Sequence, residues 1–258
     1  MQYSCPPYRC ILRRASRLLV VVTLGSCGIT TSLLAQDLEP RAYSNTPIGM
    51  NFLLAGYKYS EGALLFDPEL PVRDANAAVD VGFVGYVRAL AIAGKSAKAG
   101  VLLPFARLDA SGFVDNTFVT RTDSGLADPA LYFSVNLYGA PALSFEEFGA
   151  FQQDTIIGLT FKLTVPIGVY DRDRLLNIGT NRWSFKSELG ISQAVDRWVL
   201  EAAAAAIVFS DNDDFDNGKS RQQDTIFALQ GHAIYTFPRD IWAAIGITYF
   251  AGGRTTID

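Results

Sequence analysis

The sequence predicts an all-β fold, a transmembrane antiparallel up-and-down β-barrel of the bacterial outer membrane, on three observations. Nine stretches alternate polar and apolar residues with a period of two, as strands do when their two faces meet different surroundings. The connections between them run long and then short in turn, the rhythm of a barrel with loops on one side and tight turns on the other. The stretches run to about 11–13 residues, well past the roughly five or six of an ordinary strand. A soluble β-sandwich also alternates. Its facing sheets enclose a dry core, however, whereas here the second face carries charges on several strands.

The first 35 residues stand apart as a signal peptide. Arg9, Arg13, Arg14 and Arg17 form a basic segment without an acid, an apolar run opens at Leu18, and Ser32-Leu33-Leu34-Ala35 offers a small residue before a cut at Gln36. A rival cut at Leu24-Gly25-Ser26-Cys27 has the form of a lipoprotein box. Residues 36–258 then form one β-barrel domain.

Strand one is expected at 49–60, with its connection passing through Pro68 and Pro71. Strand two, 78–90, turns tightly at Ala93-Gly94-Lys95 into strand three, 97–107. A long polar loop holding Asp115, Asn116, Asp123 and Gly125 leads to strand four, 129–138. The next link, 139–153, is of medium length and carries a helical turn at Ser144 to Phe148. Strand five, 154–165, is followed by a charged loop with Asp171, Arg172, Asp173 and Arg174. Strand six, 182–193, reverses at 194–197 into strand seven, 198–209, although its run from Ala202 to Ala206 would also suit a helix. An acidic loop, 210–223, precedes strand eight, 224–236. A turn at 237–240 gives strand nine, 241–251.

Strands four, five, six and eight separate their faces cleanly. Leu131, Phe133, Val135 and Leu137 oppose Tyr132, Ser134 and Asn136, and Ile157 to Val165 at odd positions oppose Thr160, Lys162 and Thr164. Trp183, Phe185, Leu189 and Ile191 oppose Arg182, Ser184, Lys186, Glu188 and Ser192, and Phe227, Leu229, Ala233 and Tyr235 oppose Gln230 and His232. Strands one, three and nine do not divide this way. Trp183, Trp198, Tyr235 and Phe237 lie near strand ends, where an interfacial girdle belongs.

Composition narrows the chemistry. Cys5, Cys10 and Cys27 all lie in the leader, so a domain cut at Ala35 has no thiol for a disulfide or a metal. Losing four arginines and no acid shifts the formal net charge from −4 to −8, which disfavours nucleic acid as a partner. The expected partners are outer-membrane lipid and lipopolysaccharide, the barrel-assembly machinery and a small-molecule solute. No cofactor is expected. The acidic run Asp211 to Gly218 misses the EF-hand register, because Phe215 would occupy the third position with Gly218 at the sixth, so a solvated loop is expected there.

An odd count of nine strands departs from the even number of bacterial single-chain barrels, and is expected either from a barrel of about twelve whose last strands are missing or from a miscounted strand. The segments QDLEPRAYSNTPIGMNFL, FSVNLYGAPALS, QDTIIG, NIGTNRWSFKSELGIS, QGHAIY and YFAGGRTT carry a resemblance over nearly all of residues 36–258. There the chain resembles the outer-membrane transporters grouped as "MetA-pathway of phenol degradation". The resemblance implies a barrel that continues past the equivalent of GGRTT and uptake of small, often aromatic, compounds. It brings no established site residues with it.

The residues themselves point to a lumen. Thr160, Lys162, Thr164, Arg182, Lys186, Glu188, Glu201, Gln230 and His232 lie on polar faces, where charge and hydrogen bonding set the selectivity of a pore. Two other classes stay open: a plugged barrel with a structural or surface role, and an outer-membrane hydrolase. The hydrolase would need a nucleophile beside a base, and the lone His232 has only Ser134 and Ser184 as candidate partners.

Overall fold

Alternation of this kind can bury only one face of each strand, so the strands must share a sheet whose second face meets something apolar other than protein. The computed structural model describes residues 40–63, 72–238 and 241–258. The signal peptide expected at 1–35, and the rival Cys27 box, lie outside the described residues.

In chain order the strands are β1 Asn51–Ala63, β2 Val72–Ile92, β3 Lys95–Val114, β4 Thr117–Leu126, β5 Ala130–Tyr138, β6 Thr155–Thr164, β7 Ser184–Val195, β8 Trp198–Phe209, β9 Asn212–Phe215, β10 Lys219–Gln223, β11 Ile226–Thr236, β12 Trp242–Gly252 and β13 Thr255–Ile257. One sheet runs β1-β2-β3-β5-β6-β7-β8-β11-β12, antiparallel at every step, and these nine strands are the nine expected. Each pairs with its sequence neighbour in up-and-down order. The alanine run of β8 is strand throughout, because β7 and β11 pair with it on both sides and override its helical propensity. Among the described residues β1 and β12 are the sheet's two edges and do not pair with each other.

The structure adds four strands outside that nine-strand path. Where a polar loop was expected, β3 continues to Val114, turns at Asp115-Asn116, and returns as β4 along its own upper half. The lower half of β3 pairs with β5 instead. The Asp115-Asn116 and Ala93-Gly94 turns both hold positive φ at each residue, the geometry whose twist matches a two-residue hairpin. The acidic loop is likewise a hairpin, β9–β10, to which β13 adds a third strand. Its carboxylates are engaged rather than merely solvated. Lys219 Nζ lies 2.6 Å from Asp216 Oδ2, and Ser220 donates to Asp213 at 2.8 Å.

The helical turn falls at α1, Phe145–Phe148, as expected. Ser144 and Glu147 close a capping box around its start. The outward face of the sheet is exposed and apolar: Leu189 is 53% exposed, Phe227 59% and Ile245 74%. That is a face for lipid rather than water. Trp198, Tyr235 and Phe237 pack in sequence at the short-turn end, tilted and then edge to face, with ring centroids 4.9 and 4.8 Å apart, as an interfacial girdle would.

Candidate functional site

The inner face of the sheet holds the candidate site, and residues 40–50 lie across it. Arg41 starts this strap over β8 and β11. Its backbone N–H donates to Glu201 Oε2 at 2.9 Å, its side chain donates to Thr236 Oγ1 at 2.9 Å, and its guanidinium sits 5.1 Å above the Trp242 ring. Tyr43 is buried at the centre and donates to Glu188 Oε1 at 2.5 Å. Lys98 of β3 donates to the carbonyls of Ala42 and Ser44 at 3.2 and 3.0 Å, and Asn136 of β5 donates to that of Tyr43 at 3.1 Å. The strap then joins β1 after Gly49 and Met50 bond to Ala89. Sequence reasoning gave it no role. Its signal was the pair Gly158 and Gly190, small residues on the polar face that make room for a ring.

Of the candidates, Thr160, Thr164, Arg182, Glu188, Glu201 and Gln230 are buried on this face. Lys186 Nζ pairs with Glu188 Oε2 at 2.7 Å, and Thr160 donates to Ser134 at 3.1 Å. Glu201 Oε2 lies 3.6 Å from His232 Nδ1, while its Oε1 accepts from Ser192 at 3.1 Å. Lys162 shares the face with Thr160 and Thr164, opposite Tyr132 and Lys186 in the sheet register. Two groupings result, one around Tyr43 and Glu188 and one around Arg41 and Glu201. Arg182 lies apart from both, at the long-loop end.

Ser192 donates to Glu201, and among the described residues neither Ser134, which accepts from Thr160, nor Ser184 is bonded to His232 in the nucleophile–base pairing of a Ser-His-acid hydrolase.

The opposite wall differs in character. Ala77, Val79 and Leu108 are buried together on the inner faces of β2 and β3, with Val81, Ala110 and Leu176 against them. Beside them a cleft of about 310 Å³ opens between β3, β4 and residues 173–176. Arg121 and Arg174 border it, and Asp123 accepts from both. The loop across the mouth is fixed by Asp128. Its carboxylate accepts from the N–H of Gly168 at 2.9 Å, the N–H of Thr180 at 2.7 Å and the hydroxyl of Thr180 at 2.6 Å. Sequence reasoning missed Asp128, because only the fold brings residues 40 and 52 positions apart to it.

The family described as "MetA-pathway of phenol degradation" matches residues 67–257. The chain belongs to this family. The crystal structure of an outer membrane channel from Pseudomonas putida F1 is similar to it, with a TM-score of 0.66 at 25% identity, covering 86% of this chain and 79% of that one. No curated protein matches. The phenol-degradation family and the channel architecture agree with the sheet order, and so with a barrel fold for this chain.

Proposed function

We propose that this phenol-degradation family member forms the wall of an outer-membrane channel for passive uptake of small compounds that pair an apolar body with a polar group, aromatic compounds among them. The observation that carries this reading is the division of the inner face. Ala77, Val79 and Leu108 make one wall apolar, while Ser134, Thr160, Lys186, Glu188 and Gln230 make the other polar. A path for inorganic ions needs only the second wall, whereas a phenol-like solute is held by both. The similarity to an outer membrane channel supports the same reading.

The strap favours a second reading, a plugged barrel with a structural role, because Tyr43 is buried against the polar wall. Single-channel recording in planar bilayers separates the two. Discrete steps that phenol blocks in a concentration-dependent way are expected. A refolded protein that is silent, and stays silent as Tyr43→Ala, would leave the plugged reading standing and end the uptake proposal.

A further inference from the structure

Burying a charge is costly unless an opposite charge or a full set of hydrogen bonds goes with it. Lys186 has Glu188, and Glu201 has the Arg41 N–H and Ser192. Two arginines at the long-loop end, one before β7 and one on the β9–β10 hairpin, break this pattern. Arg182, two residues before β7, is 5% exposed, and Arg221 on β10 is half-buried. Arg182 Nη2 donates to Gln223 Oε1, but its Nη1 has no hydrogen-bond partner, and neither has Arg221 Nε. Neither guanidinium makes a salt bridge among the described residues. The carboxylates of Asp128 and Asp211 act on Arg182 from a distance, and that of Asp128 is committed to Gly168 and Thr180. Burial, with the like charge of Arg221 added, pushes Arg182 down to about 10.

The walls around these donors are aromatic. Arg182 lies 4.5 Å over the Phe209 ring and Arg221 5.3 Å over the Phe215 ring. Gln223 ties the two arginines together. It accepts from Arg182, stands two residues from Arg221 on the same face of β10, and donates to the Gly253 carbonyl at 3.2 Å.

We propose that Arg182 and Arg221 form a binding site for the carboxylate of a small aromatic acid entering from the long-loop end. One carboxylate oxygen accepts from Arg182 Nη1 and the other from Arg221 Nε, which removes both orphan donors and the repulsion between the two cations. The flat body of the acid then packs beside Phe209, which is half-buried, a contact that an inorganic anion cannot use. This inference rests on the uptake reading for the solute's route and narrows its class from neutral aromatics to their acids.

The test is isothermal titration of the full chain, refolded in detergent micelles, with benzoate, the neutral isostere benzamide, and inorganic phosphate. Benzoate is expected to bind at least tenfold more tightly than either of the others. Arg182→Gln and Arg221→Gln should each weaken benzoate tenfold or more, and Lys219→Gln, an exposed cation on the same hairpin, should not. Equal affinity for benzoate and benzamide would overturn the site, as would benzoate binding retained in either folded arginine variant. Phosphate binding as tightly as benzoate would overturn the aromatic-acid assignment. Should the arginine variants not fold, the wild-type comparison decides alone. Phenol block in bilayers without benzoate binding would sink the site and leave uptake standing, and the converse result would sink uptake and keep the site.

Discussion

Gly158 and Gly190 face each other across the β6–β7 register, and together they form the floor under the Tyr43 ring. A Cβ on Gly158 would come within 2.2 Å of that ring, and one on Gly190 within 2.1 Å. No side chain fits in such a gap, so the strap's central anchor depends on the absence of two methyl groups. Gly190→Ala is therefore expected to lift Tyr43 from Glu188 at a cost of about 1–3 kcal/mol. Limited trypsinolysis reads the result, because Arg41 is tied to Glu201 and Thr236 in the docked strap. Cleavage after Arg41 should accelerate at least tenfold in Gly190→Ala, and an unchanged rate would show that the strap is held elsewhere.

Asp128 predicts a separate loss. Its carboxylate accepts three hydrogen bonds from the segment before β7, and Asp128→Ala takes the acceptor from the part-buried N–H groups of Gly168 and Thr180, leaving the Thr180 hydroxyl only the Arg182 carbonyl. A loss of about 2–4 kcal/mol is expected, read as a lower unfolding midpoint in urea. Amide exchange at Gly168 and Thr180 should rise in the same variant. A midpoint unchanged from wild type would mean that water replaces the carboxylate without cost.

The Ala93-Gly94 turn predicts a gain. Ala93 sits at a φ of 48°, a left-handed conformation that asparagine tolerates better than alanine. Ala93→Asn should stabilise the β2–β3 hairpin by about 0.5–1 kcal/mol. Thermal unfolding of the refolded protein checks the sign.

Leu108 tests the divided inner face. Leu108→Asp places a charge in the apolar wall among Ala77 and Val79. Phenol block of the conductance is expected to weaken at least fivefold, with the effect on ion conductance smaller than that of Lys186→Gln on the polar wall. Equal effects of both variants on phenol would argue against separate walls.

The edges make the last prediction. β1 and β12 do not pair among the described residues, and unpaired strand edges are costly in lipid. A conducting form has to close these edges, so the refolded protein is expected to run differently on a gel before and after boiling. Heat-modifiable migration would show that the edges are closed.

Much of the sheet was legible in the sequence because strand faces are a local property. Leu131 against Ser134, or Leu189 against Glu188, differ by their positions in one strand, and period-two alternation reports that directly. Strand three read poorly for a physical reason. Along its lower part the outward residues Leu103 and Phe105 are exposed apolar groups. Higher up, Arg107 points outward and Leu108 is buried inside. The pattern inverts where the strand leaves its apolar surroundings, and a single face assignment fails. The same inversion concealed β4, whose polar sequence read as a loop.

The sequence by itself determined the all-β class, the nine-strand path, the polar face of strands four, five, six and eight, and the family, all of which rest on order and alternation along the chain. Only the tertiary structure decided that residues 40–50 cross that face, that Tyr43 finds its place over Gly158 and Gly190, and that the charges of Arg182 and Arg221 act on each other. Those relationships join residues between about 40 and 150 positions apart. No periodicity spans such distances, and they exist only once the strands have paired in register.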